Sequence, residues 1–363
     1  MKVGILSMQK ILNYGSFLQA FSLKKEFEKR GHDVYFIDIE KGRQIVDNAV
    51  ESGNGLFSKF DKYFFKRIQN VLLSRKMAKI HVADYINYLE TDKNLGIVER
   101  FDLVVIGSDE VFNATTNSWW GFSPQLFGKI DNANHVVTYA ASCGSTTIKS
   151  AKDYNIVGEL SEYMKNLEKV SVRDQNTYDF VKSITNIEPI RHVDPVFLAN
   201  YDEFIPEIHR KKKYMIVYAY SNRIKDEQEI DAIKRYAKEN KLDILCVGMQ
   251  QRWCKHNIPA NAFELLGYIK GAECIVTDTF HGTVFSIKYN KRFVSFVRES
   301  NKNKLGGLLN QFGLINRAVA DVNMFTSVMN NEIDFVDVNK IIATEKNRSA
   351  NYLDDICLLG GKQ

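Results

Sequence analysis

Short apolar runs alternate with amphipathic stretches along most of this chain. VGILSM (3–8) is the first run, and a helix is expected from Phe17 to about Arg30, closed by Gly31-His32-Asp33 before VYFIDI (34–39). DLVVIG (102–107), HVVTYA (135–140) and KVSV (169–172) continue the series. After Pro206 comes a basic break, His209-Arg210-Lys211-Lys212-Lys213, and then a second series: YMIVYAY (214–220), an amphipathic helix at 226–239, LDILCVG (242–248), CIVTD (274–278) and RFVSFV (292–297). Strands that alternate with helices predict parallel sheets, with ligand sites at the strand C-terminal ends. The expectation is an α/β protein of two Rossmann-like domains, 1–205 and 206–335, with a helical segment 336–363 packing back on the first.

The most informative stretch is IVTDTFHGTVFSIKYNKRFV (275–294), which reads as strand, turn, helix, strand. Its single histidine, His281, falls at the helix start, where free backbone N–H groups and the positive end of the dipole suit a phosphate or carboxylate. Gly282 permits close backbone approach, Thr283 follows it in the first turn, and imidazole titrates near neutrality. A capped turn whose histidine only packs is the plain alternative.

NYGSFLQAFSL (13–23) and the His281 segment together resemble the polysaccharide pyruvyl transferase family. GSDEVFN (107–113), YAASCG (139–144), SVRD (171–174), VDPVFL (193–198) and KLGGLLNQFGL (304–314) continue the resemblance in order, from residue 3 to about 315. It implies a glycosyltransferase-B-like pair of domains facing a cleft. It also implies transfer of the enolpyruvyl unit of phosphoenolpyruvate to two hydroxyls of one sugar, in a cell-surface polysaccharide or polyprenyl-linked precursor. That chemistry needs cations around a small trianion, an acid for the methylene carbon and a base for the attacking hydroxyl, with no metal and no organic cofactor.

Arg173, ending the strand KVSV, is the first candidate for the donor, since a guanidinium grips carboxylate or phosphate in a planar fork. A surface ion pair with Asp174 is the alternative. His281 is the candidate acid/base. Better-known family members carry Arg-Leu-His or a close variant where this chain has Thr279-Phe280-His281, so one guanidinium is missing. Either Arg298 or Lys304 supplies its charge, or the donor differs. Asp109 either orients an acceptor hydroxyl, acts as a base, or caps a helix. Asn13, Tyr14, Gly15 and Gln19 at the first βα turn, with Ser142, are assigned to acceptor binding. Asp194-Pro195 is expected to fix the chain near the interdomain connection, and Asp278 to orient or cap the His281 turn.

Composition changes the picture only by exclusion. The 363 residues are 45% hydrophobic and 26% charged, a globular mixture, and the net charge of +5 suits anionic small molecules rather than nucleic acid. Five scattered cysteines (Cys143, Cys246, Cys254, Cys274, Cys357) form no C-x-x-C pair, which points to free thiols in a cytoplasmic setting. No secretory leader or membrane-spanning run is expected. There is no G-x-G-x-x-G after the first strand, no P-loop, no H-E-x-x-H, no G-x-S-x-G and no D-x-D. Segment 59–80, with seven Lys/Arg against one Asp and an apolar stripe, is either a packed surface helix or a peripheral membrane contact. The competing function is a nucleotide-sugar-dependent glycosyltransferase of the same fold.

Overall fold

The computed structural model describes residues 1–46, 64–90, 100–221, 223–299 and 301–360. β1 (Lys2–Leu6), α1 (Tyr14–Lys29) and β2 (Asp33–Phe36) come first. α2 (Phe64–Asp84) then leads to β3 (Phe101–Asp109), β4 (Ala133–Ala141), α3 (Ile148–Asp153), α4 (Val157–Met164), β5 (Ser171–Val172), α5 (Gln175–Ile184) and β6 (Ile190–Arg191). These six strands form one parallel sheet in the order β2-β1-β3-β4-β5-β6, with Val3 set between Val34 and Leu103.

Residues 206–213 carry neither helix nor strand. β7 (Tyr214–Tyr218), α6 (Glu227–Glu239), β8 (Asp243–Val247), β9 (His256–Ile258), α7 (Ala262–Gly271), β10 (Cys274–Thr277), α8 (Phe280–Lys288), β11 (Arg292–Phe296), α9 (Lys302–Gln311), β12 (Ala318–Val319) and α10 (Phe325–Asn330) follow. The second sheet, also parallel, runs β12-β11-β10-β7-β8-β9. α11 (Phe335–Gly360) returns to the first sheet: Tyr352 Oη donates to the Thr138 carbonyl at 2.8 Å, and Arg30 Nε pairs with Asp354 at 2.7 Å.

Strand order decides where a site can form. In the first sheet the chain changes direction between β1 and β3, in the second between β7 and β10. Each switch leaves a crevice beyond the strand C-termini, the usual ligand position in doubly wound sheets. α1 is buried on most of its surface because it lies between the sheets. Phe17 and Phe21 meet Phe263 of α7 edge-on, with centroids 5.8 and 5.2 Å apart. Tyr14 Oη donates to the Ala260 carbonyl at 2.5 Å.

Among the described residues, no helix is long and apolar enough to cross a membrane. Of the basic segment 59–80, residues 59–63 and the side chains of 64–70 lie outside the described residues. Further along α2, Val71 and Leu72 are exposed.

Candidate functional site

The two switch points face each other across a cavity of about 380 Å³. The turn after β1 contributes Asn13, the first turn of α1 contributes Ser16, and the end of β3 contributes Asp109, followed by Glu110. Beyond β7 come Tyr220 and Arg223, and beyond β10 come Asp278, Thr279, Phe280 and His281. Arg173, one residue past β5, and Lys304 of α9 close the floor. A second cavity of about 430 Å³ lies against Arg173, Phe280 and Lys304 and extends toward Arg191 and Arg348.

Arg173 is buried, and it does not make the surface pair with Asp174. Its Nη1 donates to Asp194 Oδ2 at 2.8 Å, its Nη2 to Asp109 Oδ1 at 3.3 Å, and its guanidinium lies 4.2 Å from the Phe280 ring centroid. Asp174 instead caps α5, accepting from the Thr177 amide at 2.8 Å, and also accepts from Ser142 Oγ at 2.7 Å. His281 Nε2 stands 3.4 Å from Asp194 Oδ2, so one buried carboxylate lies between the Arg173 guanidinium and the imidazole. Burial alone would raise the Asp194 carboxyl; the charges of His281 and Arg173 override it and hold the group below its ordinary range. Asp109 behaves alike: burial opposes ionisation, and Arg173, His281 and the hydroxyl of Ser16 at 2.7 Å overcome it. Asp109 also adopts a φ of 74°, at the strand end that turns its carboxylate toward the cleft.

Gly15 makes this arrangement possible. A Cβ at Gly15 would lie 2.0 Å from His281 Nδ1, so the first turn of α1 and the His281 ring can meet only over a glycine. Gly15, assigned to acceptor binding, therefore faces the His281 side chain from the other half of the molecule. Thr279, at the position of the missing guanidinium, is the N-cap of α8, its Oγ1 accepting from the Gly282 amide at 2.9 Å. The Thr283 amide bonds the Thr279 carbonyl, which leaves Phe280 and His281 to offer the N–H groups of the first turn.

The remaining predicted residues divide. Asn13 caps α1 and reaches across the cleft, its Nδ2 donating to Tyr220 Oη at 3.0 Å. Lys304 pairs with Glu110, joining α9 to the end of β3. Tyr14, Gln19, Ser142, Gly282 and Thr283 do not line the cavity. Gln19 Nε2 donates to Ser7 Oγ at 2.8 Å and its Oε1 accepts from the Ser108 amide at 3.2 Å, a clamp between the β1 and β3 ends. Thr283 bonds Ser295 of β11 at 2.7 Å, and a Cβ at Gly282 would lie 2.1 Å from Thr277 Oγ1. Arg298 stands behind the wall, gripped by Glu229 through two bonds of 3.0 and 2.9 Å.

Sequence reasoning passed over Arg223 and Tyr220, and gave Asp194 only a chain-fixing role. The available signal was position: Arg223 follows the C-terminal end of β7, a switch strand. Asp278 does not cap the His281 turn, a role that Thr279 fills. Asp278 is buried, neither carboxylate oxygen has a hydrogen-bond partner, and its Oδ2 lies 3.9 Å from Arg223 Nη1 and 3.7 Å from Arg298 Nε. Burial raises its carboxyl above the ordinary range, against the pull of both arginines. Among the described residues, no group of three His, Cys, Asp or Glu is placed to hold a metal ion.

Spinosyn forosaminyltransferase SpnP superposes with a TM-score of 0.50 over 100% of both chains at 8% identity. Spinosyn rhamnosyltransferase SpnG gives 0.49 at 10% identity, over 98% of this chain and 100% of that one. The SpnP likeness is one of fold alone, the glycosyltransferase-B architecture. No curated protein matches the chain significantly. The family model for polysaccharide pyruvyl transferase matches residues 13–300, a span that holds the switch-point turns, Arg173 and the His281 helix start. By that match the chain belongs to the polysaccharide pyruvyl transferase family.

Proposed function

We propose that the protein moves the enolpyruvyl unit of phosphoenolpyruvate onto two hydroxyls of one sugar, giving a cyclic ketal and free phosphate. The observation that carries this reading is the convergence of Arg173, His281 and Asp109 on one cavity, with Asp194 set between Arg173 and His281. The acceptor is a saccharide, free or polyprenyl-linked, and residues 59–80 are the candidate membrane contact. The reaction requires neither metal nor organic cofactor.

In this reading Arg173, Lys304 and the α8 start hold the donor trianion. Protonation of the methylene carbon uses the C=C electron pair to form a C–H bond and leaves an oxocarbenium-like centre at the adjacent carbon. His281 is the proton donor. The first sugar hydroxyl adds to that centre while its proton passes to a base, and Asp109 orients this hydroxyl. Phosphate then leaves with the C–O electron pair, and the second hydroxyl closes the ketal and releases its proton. Asp194 positions Arg173 and His281.

A nucleotide-sugar donor is the second reading, favoured by two observations. Thr279 replaces a guanidinium with a helix cap, and Arg298 is occupied by Glu229. Arg223, on the cavity wall, is the cation that restores the balance for phosphoenolpyruvate. A thermal-shift comparison of phosphoenolpyruvate with a panel of nucleotide sugars, each with and without a chelator, tests the choice. Stabilisation by phosphoenolpyruvate that ignores the chelator is expected. Stabilisation by a nucleotide sugar alone transfers the assignment to the second reading.

A further inference from the structure

Next to the main cavity lies a smaller one of about 240 Å³, and the two share Met8, Ile11 and Trp120. It opens at the turn after β1, on the side of the cleft assigned to the acceptor. Ile39 and Trp119 complete its apolar walls. Trp119 is 63% exposed and stands edge-on to Trp120, with ring centroids 5.6 Å apart. A scattered exposed side chain needs no explanation, but an exposed indole beside a substrate cleft offers a flat apolar face at little entropic cost.

The loop that carries this indole is tied down. The Gly42 amide donates to the Trp120 carbonyl, Gln44 Nε2 to the Ser118 carbonyl and the Phe122 amide to the Arg43 carbonyl, each at 2.8 Å. The rim is polar: Lys10 and Asp38, both about half exposed, pair at 2.5 Å. An apolar face with a charged, hydrogen-bonding edge matches a pyranose ring, which has a C–H face and an equatorial belt of hydroxyls. An isoprenoid chain would find no use for the Lys10–Asp38 edge and would outgrow a space of this size.

We infer that Trp119, Trp120 and the Lys10–Asp38 rim form a subsite for the sugar residue next to the one modified, so that the acceptor is at least a disaccharide. This rests on the pyruvyl-transfer reading for the adjoining cavity. Saturation-transfer NMR without phosphoenolpyruvate tests it, with lactose, cellobiose and maltose compared against glucose and galactose, and with farnesyl phosphate as competitor.

At least one disaccharide should bind about tenfold more tightly than its component sugars. Trp119→Ala should erase that advantage and Trp119→Phe should recover most of it. The thermal shift given by phosphoenolpyruvate should be the same in all three proteins, which also shows that the variants fold. Equal binding of mono- and disaccharides, a preference that survives Trp119→Ala, or no sugar binding at all overturns the subsite. Binding of farnesyl phosphate at Trp119 in place of sugar assigns it to a lipid instead. Trp119-dependent disaccharide binding in a protein that phosphoenolpyruvate does not stabilise would keep the subsite and remove the pyruvyl-transfer reading.

Discussion

Two carboxylates stand on opposite sheets, Asp278 against the main cavity and Asp194 against the adjoining one, and their side chains are equally buried, at 0% exposure each. Asp194, at the first sheet, accepts from Arg173 and from the Val196 amide and stands beside His281. Asp278, at the second, has two guanidiniums nearby and a hydrogen bond from neither. The first carboxyl is held below its ordinary range and the second is pushed above it. Burial is common to both, so partner geometry makes the difference: Arg173 hydrogen-bonds Asp194 at 2.8 Å with His281 at 3.4 Å, whereas Arg223 and Arg298 stay 3.9 and 3.7 Å from Asp278 without a hydrogen bond and Arg298 is drawn off by Glu229. The first wall holds two carboxylates on one shared guanidinium, Arg173. The second is a buried carboxyl whose nearest guanidiniums stay beyond hydrogen-bond distance.

The largest effect should come from the group that links the walls. His281→Asn keeps a polar side chain of similar size beside Asp194 and cannot relay a proton. Turnover should fall by about two to four powers of ten while the calorimetric affinity for phosphoenolpyruvate stays within a few-fold. Turnover within about threefold of the parent would return His281 to a packing role.

Arg173→Ala breaks the first wall itself. It leaves Asp109 and Asp194 buried without their shared cation, a change that typically costs about 3–5 kcal/mol of stability. It should also abolish measurable donor binding. Denaturant unfolding and calorimetry read the two effects separately. A variant that binds the donor as the parent does would show that Arg173 serves only the fold.

Gly15→Ala tests whether the two walls must touch. The added methyl would occupy the place of His281 Nδ1, so the ring must move, and a displacement of about 1 Å at a reacting group typically costs about 10²-fold in rate. Donor affinity should change little, since Arg173 and the α8 start stay in place. Unchanged turnover would mean that His281 acts from another position or not at all.

The same comparison explains what the sequence disclosed. Both sheets were legible in their long strands, because β1, β3, β4, β7, β8, β10 and β11 are mostly apolar segments of four or more residues. The short edge strands β6, β9 and β12 were not, since two or three residues carry no period. Arg173, His281, Asp109, Asn13 and Lys304 were found because they end strands or begin helices that face the cleft. Gln19 and Ser142 lie in the same motifs but point into the framework, and only the helix and turn geometry separates them from their neighbours. Asp194 was read as a chain fixture because its partners come from distant segments, and a pairing across space leaves no spacing in sequence. Arg223 belongs to no motif, and the β7 switch point that gives it meaning exists only after strand order is known.

The smallest effect is the one that divides the two carboxylates most cleanly. A carboxyl with a depressed native pKa contributes stability that is full above its unfolded pKa and is lost as pH falls through the native value. Asp194 and Asp109 are of this kind. Asp278 has the opposite sign: its charged form is penalised in the native state, so stability is gained as pH falls through its raised native pKa toward the unfolded value. Asp278→Asn should therefore melt higher than the parent at neutral pH, by no more than about 3 °C, with the difference closing as the solution is acidified. Asp194→Asn should melt lower at neutral pH, and its deficit should shrink only at pH values below the ordinary carboxylate range. Melting curves from pH 8 to pH 2 for the three proteins decide it. An Asp278→Asn variant that is less stable than the parent at neutral pH would mean that the attraction of Arg223 and Arg298 outweighs the cost of burying the Asp278 charge.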